Sequence, residues 1–429
     1  MSPGFDCLIV GAGHAGAHAA IFLRQHGFTG SIAIIGDEPE LPYERPPLSK
    51  DYLSGAKHFE RMLLRPAAFW AEINVAMLPG RRAEVVEPSR QILRCTDGSS
   101  YGYANLIWAA GGRPRSLDCP GGDLAGVHRI RSRADVDAIG AELPNARDIC
   151  VVGGGYIGLE AAAVLVKLGK RVTVLEAMDR VLARVAGAEL SHFYEREHLA
   201  HGVDLRLNSR VRELIGERGH VASVVLDNGG TLPADMVIVG VGIVPNVEAL
   251  AAAGIACGDG VEVDEFCRTS VPNVYAVGDC ARHANAFAPD GGRIRLESVQ
   301  NASDQANCAA RAIVGRPQPY CASPWFWSDQ YDLRLQTAGL STGHDQAIVR
   351  GDPTTKMFSV IYLRRGRFQA IDCVNNGKDF VAAKRLVGTQ TAVSADRLAD
   401  PRTPLKEMIP SANGGQPAAQ DARARHGDC

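Results

Sequence analysis

The chain spells strand, glycine-rich turn, helix and strand twice. FDCLIV, GAGHAG, AHAAIFLRQHG and SIAIIGD run from 5 to 37, DICVV, GGGYIG, LEAAAVLVKLGK and RVTVLE run from 148 to 176, and Gly11 and Gly153 stand 142 residues apart. Parallel strands need a crossover connection, and a strand that turns through glycines into a helix supplies one. Each segment is therefore predicted to be a βαβ unit, and the fold class is α/β with two Rossmann-like dinucleotide-binding domains. A second correspondence follows each unit. TDGSSYGYANLIWAAGGRP and DNGGTLPADMVIVGVGIVP each carry a turn and an apolar strand ending in glycine. Gly98 matches Gly229, Gly111 matches Gly242 and Pro114 matches Pro245 at a constant offset of 131. The repeat implies two homologous nucleotide-binding folds.

In the first turn Gly11 permits the tight bend, Gly13 lets the backbone approach a pyrophosphate and Gly16 lets helix pack on strand. The diphosphate is expected on the helix N-terminus. Asp37 or Glu38, near the end of the second strand, supplies a carboxylate for ribose hydroxyls. The second turn repeats this with Gly153, Gly155 and Gly158, and with Glu176 closing its strand. An acid there repels a 2′-phosphate, so NADH is expected over NADPH, although Arg180 and Arg184 nearby act in the opposite sense. Two dinucleotide sites in one chain imply two dinucleotides, and the useful chemistry between them is hydride transfer from a nicotinamide to a flavin.

The charge balance of 46 basic against 48 acidic residues argues against a chain built to neutralise nucleic acid. No apolar run is long enough to span a bilayer, and a strand begins almost at the first residue, leaving no room for a signal peptide. A cytoplasmic protein without membrane partners is expected. The 11 cysteines include no C-x-x-C pair, so they are read as reduced thiols, with no metal site and no iron–sulfur cluster.

After about 246 the chain returns to strands and turns ending in NVYAVGDC, followed by the helical SVQNASDQANCAARAIVG. Past Pro324, alternating runs such as FSVIYL and FQAIDCV predict antiparallel strands of a C-terminal α+β domain. The boundaries expected are 1–113 with 245–325 for a discontinuous FAD-binding domain, 114–244 for an NADH-binding domain and 326–409 for the C-terminal domain, with 410–429 as a disordered tail.

Four further segments carry a family resemblance: YERPPLSKDYL at 43–53, TSVPNVYAVGDC at 269–280, ESVQNA at 297–302 and PWFWSDQYDL at 324–333. With the glycine turns, they make the chain resemble, from about 5 to 409, the FAD-containing, NADH-dependent ferredoxin reductases of bacterial oxygenase systems, of the putidaredoxin reductase type. The resemblance implies FAD on the first turn, with Asp37, Glu38, Arg45, Lys50, Gly278, Asp279, Val299 and Trp327 about it. It implies NADH on the second, with Glu160, Glu176, Arg184 and Gly242. Lys50 is expected beside the flavin, paired with Glu160, where its charge would stabilise the reduced ring. The family's usual A-T-G is here Ala109, Ala110 and Gly111, so a hydroxyl is missing. Lys384, Lys406 and Arg311 are expected to dock the partner, with Trp327 on the same side.

The partner implied is a [2Fe-2S] ferredoxin that takes electrons singly and feeds a haem-thiolate monooxygenase or a Rieske dioxygenase, and the reductase itself is expected to be a monomer or weak dimer. No redox dithiol is present to receive two electrons, and the YERPPLSK segment lacks the cysteine that coenzyme A disulfide reductases and peroxide-forming NADH oxidases of similar architecture carry. The alternatives are a monodehydroascorbate- or quinone-type NADH reductase, and a redox-sensing binding protein like apoptosis-inducing factor.

Overall fold

The computed structural model describes residues 3–409; the tail expected at 410–429 lies outside them. The first glycine unit opens a sheet in the order Val75–Leu78, Ile32–Ile35, Gly4–Val10, Ser100–Trp108, Ile92–Cys95, Ala83–Glu87. Strand Val274–Ala276 pairs in parallel with Ser100–Trp108 and so brings the GDC segment back to the first turn. The second unit repeats the plan with five parallel strands, Asp204–Arg206, Arg171–Leu175, Asp148–Val152, Met236–Val239 and Val127–Arg129. Strands Ala83–Glu87 and Ile92–Cys95 join the first sheet antiparallel, whereas its central parallel strands, like those of the second sheet, read as continuous apolar runs because both faces are covered.

The helices after the two turns are built alike. His14–Gln25 buries Ala15, Ala17, Ala19 and Ala20, and these small side chains let helix Val299–Ile313 approach through Ala302, Ala306, Ala309 and Ala310. Tyr156–Lys167 buries Ala161, Ala162 and Ala163. Each ends two residues before a glycine in the left-handed region, Gly27 at φ 85° and Gly169 at φ 78°, the usual way to close the last carbonyls of a helix.

The matching chain exits pair with each other. Gly112–Pro114 and Ile243–Pro245 form a two-stranded antiparallel ribbon with Arg113 opposite Val244. This ribbon carries the chain between the two nucleotide folds. The C-terminal region is a five-stranded antiparallel sheet, Trp325–Gln330, Leu333–Gly339, Arg367–Val374, Met357–Arg364 and Gln346–Asp352, with helix Gly377–Thr389 on one face. Its other face joins the second nucleotide fold in one core: Leu335, Phe358, Val360 and Tyr362 pack with Leu159, Leu190, Phe193 and Tyr194. The Phe193 and Phe358 rings meet edge to face at 4.8 Å, a geometry worth about 1 kcal/mol beyond burial.

Candidate active site

Both glycine turns open into one cleft of about 1030 Å³, which the C-terminal sheet closes with Phe326, Trp327, Thr337 and Asp372. Gly11 and Gly153 both take φ 109°. A Cβ on Gly11 would stand 2.2 Å from Ala109 O and one on Gly153 2.5 Å from Gly240 O. Gly16 and Gly158 are equally constrained, since a Cβ there would meet Gly11 O at 1.9 Å and Gly153 O at 2.0 Å. The middle glycines differ in kind. Around Gly13 the nearest atom to an added Cβ is Arg45 Nε at 3.9 Å, and around Gly155 nothing lies within 4 Å. Each turn therefore leaves open space beside bare backbone at a helix N-terminus, the shape and polarity that a dinucleotide diphosphate needs. The residues present fit FAD at one turn and a nicotinamide dinucleotide at the other.

At the first turn the acids differ in their freedom. Glu38 accepts from Arg45 Nη2 and from Tyr43 Oη, both at 2.5 Å, whereas Asp37 is exposed to the cleft. Arg45 also donates to Arg131 O at 2.5 Å. Arg131, which sequence reasoning did not single out, reaches Asp279 at 3.4 Å. Gly278, at φ 77°, donates its amide to Gln305 Oε1 at 2.8 Å, and Arg295 donates to Asp279 O at 2.8 Å. Val299 opens helix Val299–Ile313 and lines the cleft. Asn246 Nδ2 donates to Ala110 O, which fixes the backbone where the family's threonine is replaced.

Lys50 and Glu160 come from different nucleotide folds and meet at 2.6 Å. Pro46 and Pro47 open the one-turn 3₁₀ segment Pro46–Ser49, and Lys50 follows it with its Nζ also 3.1 Å from Pro46 O. Glu160 is 3% exposed, and the other donors that reach it are Ser49 Oγ and Ser328 Oγ, each at 2.6 Å. Three side chains from two separated segments thus converge on one carboxylate. Tyr156, first in its helix, packs on Phe326 with ring centroids 4.6 Å apart and planes tilted by 35°.

At the second turn Glu176 accepts from Gly154 N at 2.7 Å and from Met178 N at 2.8 Å, one amide on each oxygen, so lone pairs remain for ribose hydroxyls. Arg180 is committed to Ala183 O, Ala186 O and Ser191 Oγ. Arg184 is exposed and unpaired among the described residues, and Arg210, unmarked by any motif, also lines this end. Gly242, at φ 97°, lines the cleft beside the ribbon.

On the outer side of the C-terminal region, Trp327 lines the cleft and its ring lies 5.7 Å from that of Trp325. Lys384 Nζ sits 4.9 Å from the centre of the Trp325 ring. Lys406 is exposed, while Arg311 is half-buried with its Nε sequestered. No disulfide joins two of the described cysteines, and no metal-ligating cluster occurs among the described residues. No described helix is long and apolar enough to cross a membrane.

Residues 5–306 match the pyridine nucleotide-disulphide oxidoreductase family, and 325–409 match a reductase C-terminal domain. The chain is 57% identical to the 5,5′-dehydrodivanillate O-demethylase ferredoxin reductase subunit of a Sphingobium species, over 95% of this chain and 98% of that protein. It is 55% identical, over the same shares, to a ferredoxin–NAD(P)(+) reductase of a Sphingomonas species. Among solved structures, the ferredoxin reductase for the CYP199A2 system of Rhodopseudomonas palustris superposes with TM-score 0.91 at 37% identity, over 94% of this chain and all of that one. The reductase in a covalent putidaredoxin reductase–putidaredoxin complex also gives TM-score 0.91, at 38% identity over 95% of this chain and 98% of that one.

Proposed function

The chain belongs to the pyridine nucleotide-disulphide oxidoreductase family, within its ferredoxin reductases, and on that premise we propose that it carries electrons from NADH through FAD to a [2Fe-2S] ferredoxin serving an oxygenase. The observation that carries this reading is the single cleft lined by both glycine turns and by the Lys50–Glu160 pair. FAD, when bound, accepts a hydride from the nicotinamide and passes electrons on one at a time.

Everything else is the work of this chain's residues. Backbone amides at the two helix N-termini hold the diphosphates, and the bare positions at Gly13 and Gly155 let them come close. Arg45, Arg131 and Asp279 orient the first dinucleotide, and Glu176 orients the second through its ribose. Lys50 places a fixed positive charge where negative charge develops on the ring, and Glu160, held by Ser49 and Ser328, keeps that ammonium from swinging away. Phe326 and Trp327 wall the cleft against water on the side of the C-terminal sheet. The outer face, with Trp325, Lys384 and Lys406, is where an acidic ferredoxin docks.

The deciding experiment supplies NADH and follows three acceptors in turn: a [2Fe-2S] ferredoxin, a quinone and the ascorbate radical. Fast, saturable ferredoxin reduction by a flavin-bearing protein supports the proposal. Faster turnover of the quinone or the radical would replace it.

A further inference from the structure

We propose that His14 binds the FAD pyrophosphate as an imidazolium, so that this chain takes up a proton with its flavin. The inference rests on the reading of the first glycine turn as the FAD site. His14 directly follows Gly13 as the first residue of helix His14–Gln25, and it lines the cleft. Neither of its ring nitrogens has a hydrogen-bond partner among the described residues. Its charged neighbours are Arg45, from the segment before Pro46–Ser49, and Arg131, from the segment after strand Val127–Arg129. His18 lies one turn along the same helix, with ring centroids 6.2 Å apart. Beyond Arg45 stand Asp37 and Glu38, beyond Arg131 stand Asp279 and Glu297, and beyond His18 stands Arg65. From helix Val299–Ile313, Asn307 Oδ1 lies 2.7 Å from Nε2 of His26, the residue that follows helix His14–Gln25.

Arg45 is paired with Glu38 and Arg131 with Asp279, so the His14 imidazole is the donor in this group that has no acceptor of its own among the described residues. Arg45, the helix N-terminus and the imidazole meet beside the open space at Gly13, and Arg131 adds its charge from behind Arg45. Without an anion, burial and then the charges of His18, Arg45 and Arg131 push the His14 ring down to about 4, so at neutral pH it carries no charge. A bound diphosphate reverses that balance: its negative charges offset the guanidiniums, and its oxygens accept an N–H from the ring, which favours the protonated form. The complex then holds one more proton than its separated partners. By linkage, flavin affinity strengthens as pH falls through the raised pKa of the complex, and the gain is lost above it.

The test uses the holoenzyme. Dilution of the flavin-loaded protein releases FAD, whose fluorescence rises as it leaves, and the release rate is followed across pH. In the unmodified protein, release should slow about tenfold between about pH 8.5 and about pH 6. FAD has no group that titrates in this interval. His14→Gln should release FAD at a rate nearly independent of pH and close to the fast limit of the unmodified protein, and His14→Lys should release it slowly throughout. His18→Gln should keep the original slope. If His14→Gln retains that slope, or if His18→Gln abolishes it, the proposal is overturned. Purified protein without the visible absorption of bound flavin would instead overturn the assignment of the first turn, so the two failures are distinguishable.

Discussion

Glu160 shows how a single buried carboxylate organises this site. A carboxylate that deep needs partners, and the loss of one leaves an unpaired charge in the interior. Lys50→Met should retain FAD, which many contacts share, but slow flavin reduction by NADH by about 10²-fold, the scale on which one positioned charge acts. Stopped-flow absorbance reads the rate directly, and an unchanged rate with a normal flavin spectrum would remove Lys50 from the mechanism. Glu176 governs the choice of nucleotide. Its bonds to ribose and its repulsion of a 2′-phosphate should favour NADH over NADPH by about 2–4 kcal/mol, and Glu176→Ala should narrow the gap. Equal kcat/KM for both nucleotides in the unmodified protein would refute this role. Asp372 carries a third, independent expectation. It is 3% exposed on the face that meets the second nucleotide fold, and its Oδ2 accepts from Tyr362 Oη at 2.6 Å. Tyr362 Oη in turn accepts from Gly187 N at 3.1 Å. Burial pushes the Asp372 carboxyl up to about 7, against the opposing pull of the Tyr362 hydroxyl. The folded chain therefore keeps a proton there that the unfolded chain has lost above about pH 4, and stability falls as pH rises between those values, by up to about 4 kcal/mol. Asp372→Asn removes this dependence while keeping an acceptor for Tyr362. The gain in Tm of the variant over the parent should be small near pH 5 and grow toward pH 8; a constant difference would show that Asp372 does not titrate on unfolding.

Among elements, the two turns were legible because the requirement for glycine is local. Gly16 and Gly158 sit where a Cβ would overlap the carbonyl oxygen of Gly11 or Gly153, and a clash against backbone costs about 1–3 kcal/mol or more. Gly16→Ala should yield protein depleted of flavin, whereas Gly158→Ala should keep its flavin spectrum and raise KM for NADH about tenfold or more. Equal flavin loss in both variants would mean that the turns do not divide the two cofactors between them. The end of the first unit was less plain. Val10 pairs with Ile35 and Val152 pairs with Leu175, so the register position of Glu176 is held in the first sheet by Gly36. A Cβ on Gly36 would meet Ala12 Cβ at 2.7 Å, and the acid accordingly comes one residue later, as Asp37. The alternation in FSVIYL and FQAIDCV identified the C-terminal strands, since one face meets the second nucleotide fold and the other meets helix Gly377–Thr389. Ser49, Ser328 and Arg131 could not be read from the sequence. Serines and arginines are common at surfaces, and only the tertiary fold brings Ser328 to Glu160 across 168 residues. The pairing of the two matching exits as one ribbon was likewise invisible, although the offset of 131 had already aligned them.

For the molecule as a whole, charge is distributed by region. Between 326 and 409 there are 12 Lys and Arg against 9 Asp and Glu, while the entire chain is at -2. The bias that a partner meets stays close to this count, because Asp372 is buried with its pKa pushed up to about 7 while Lys356 is offset by Glu197 from outside the region. Arg350 and Asp379 cancel each other in the interior at 2.9 Å, and Lys356 is drawn to Glu197 at 2.8 Å. Lys384 and Lys406 remain exposed, the former over the Trp325 ring whose neighbour Trp327 lines the cleft. Arg311 has less freedom to meet a partner, since its Nε is buried. An acidic ferredoxin steered to this face would be captured faster when its field reaches further. The Debye length falls from about 30 Å at 0.01 M salt to about 10 Å at 0.1 M, so ferredoxin reduction should slow markedly over that range. NADH-dependent ferricyanide reduction needs no docking and should change far less. Reversing Lys384 and Lys406 to Glu should act through KM and the association rate for ferredoxin while sparing ferricyanide, because rim charges govern encounter more than they govern chemistry. The double reversal should also flatten the salt dependence, since the charges that salt screens are then absent. If ferredoxin kinetics at low salt survived the double reversal intact, the partner would have to bind elsewhere, and the path past Trp327 would lose its support.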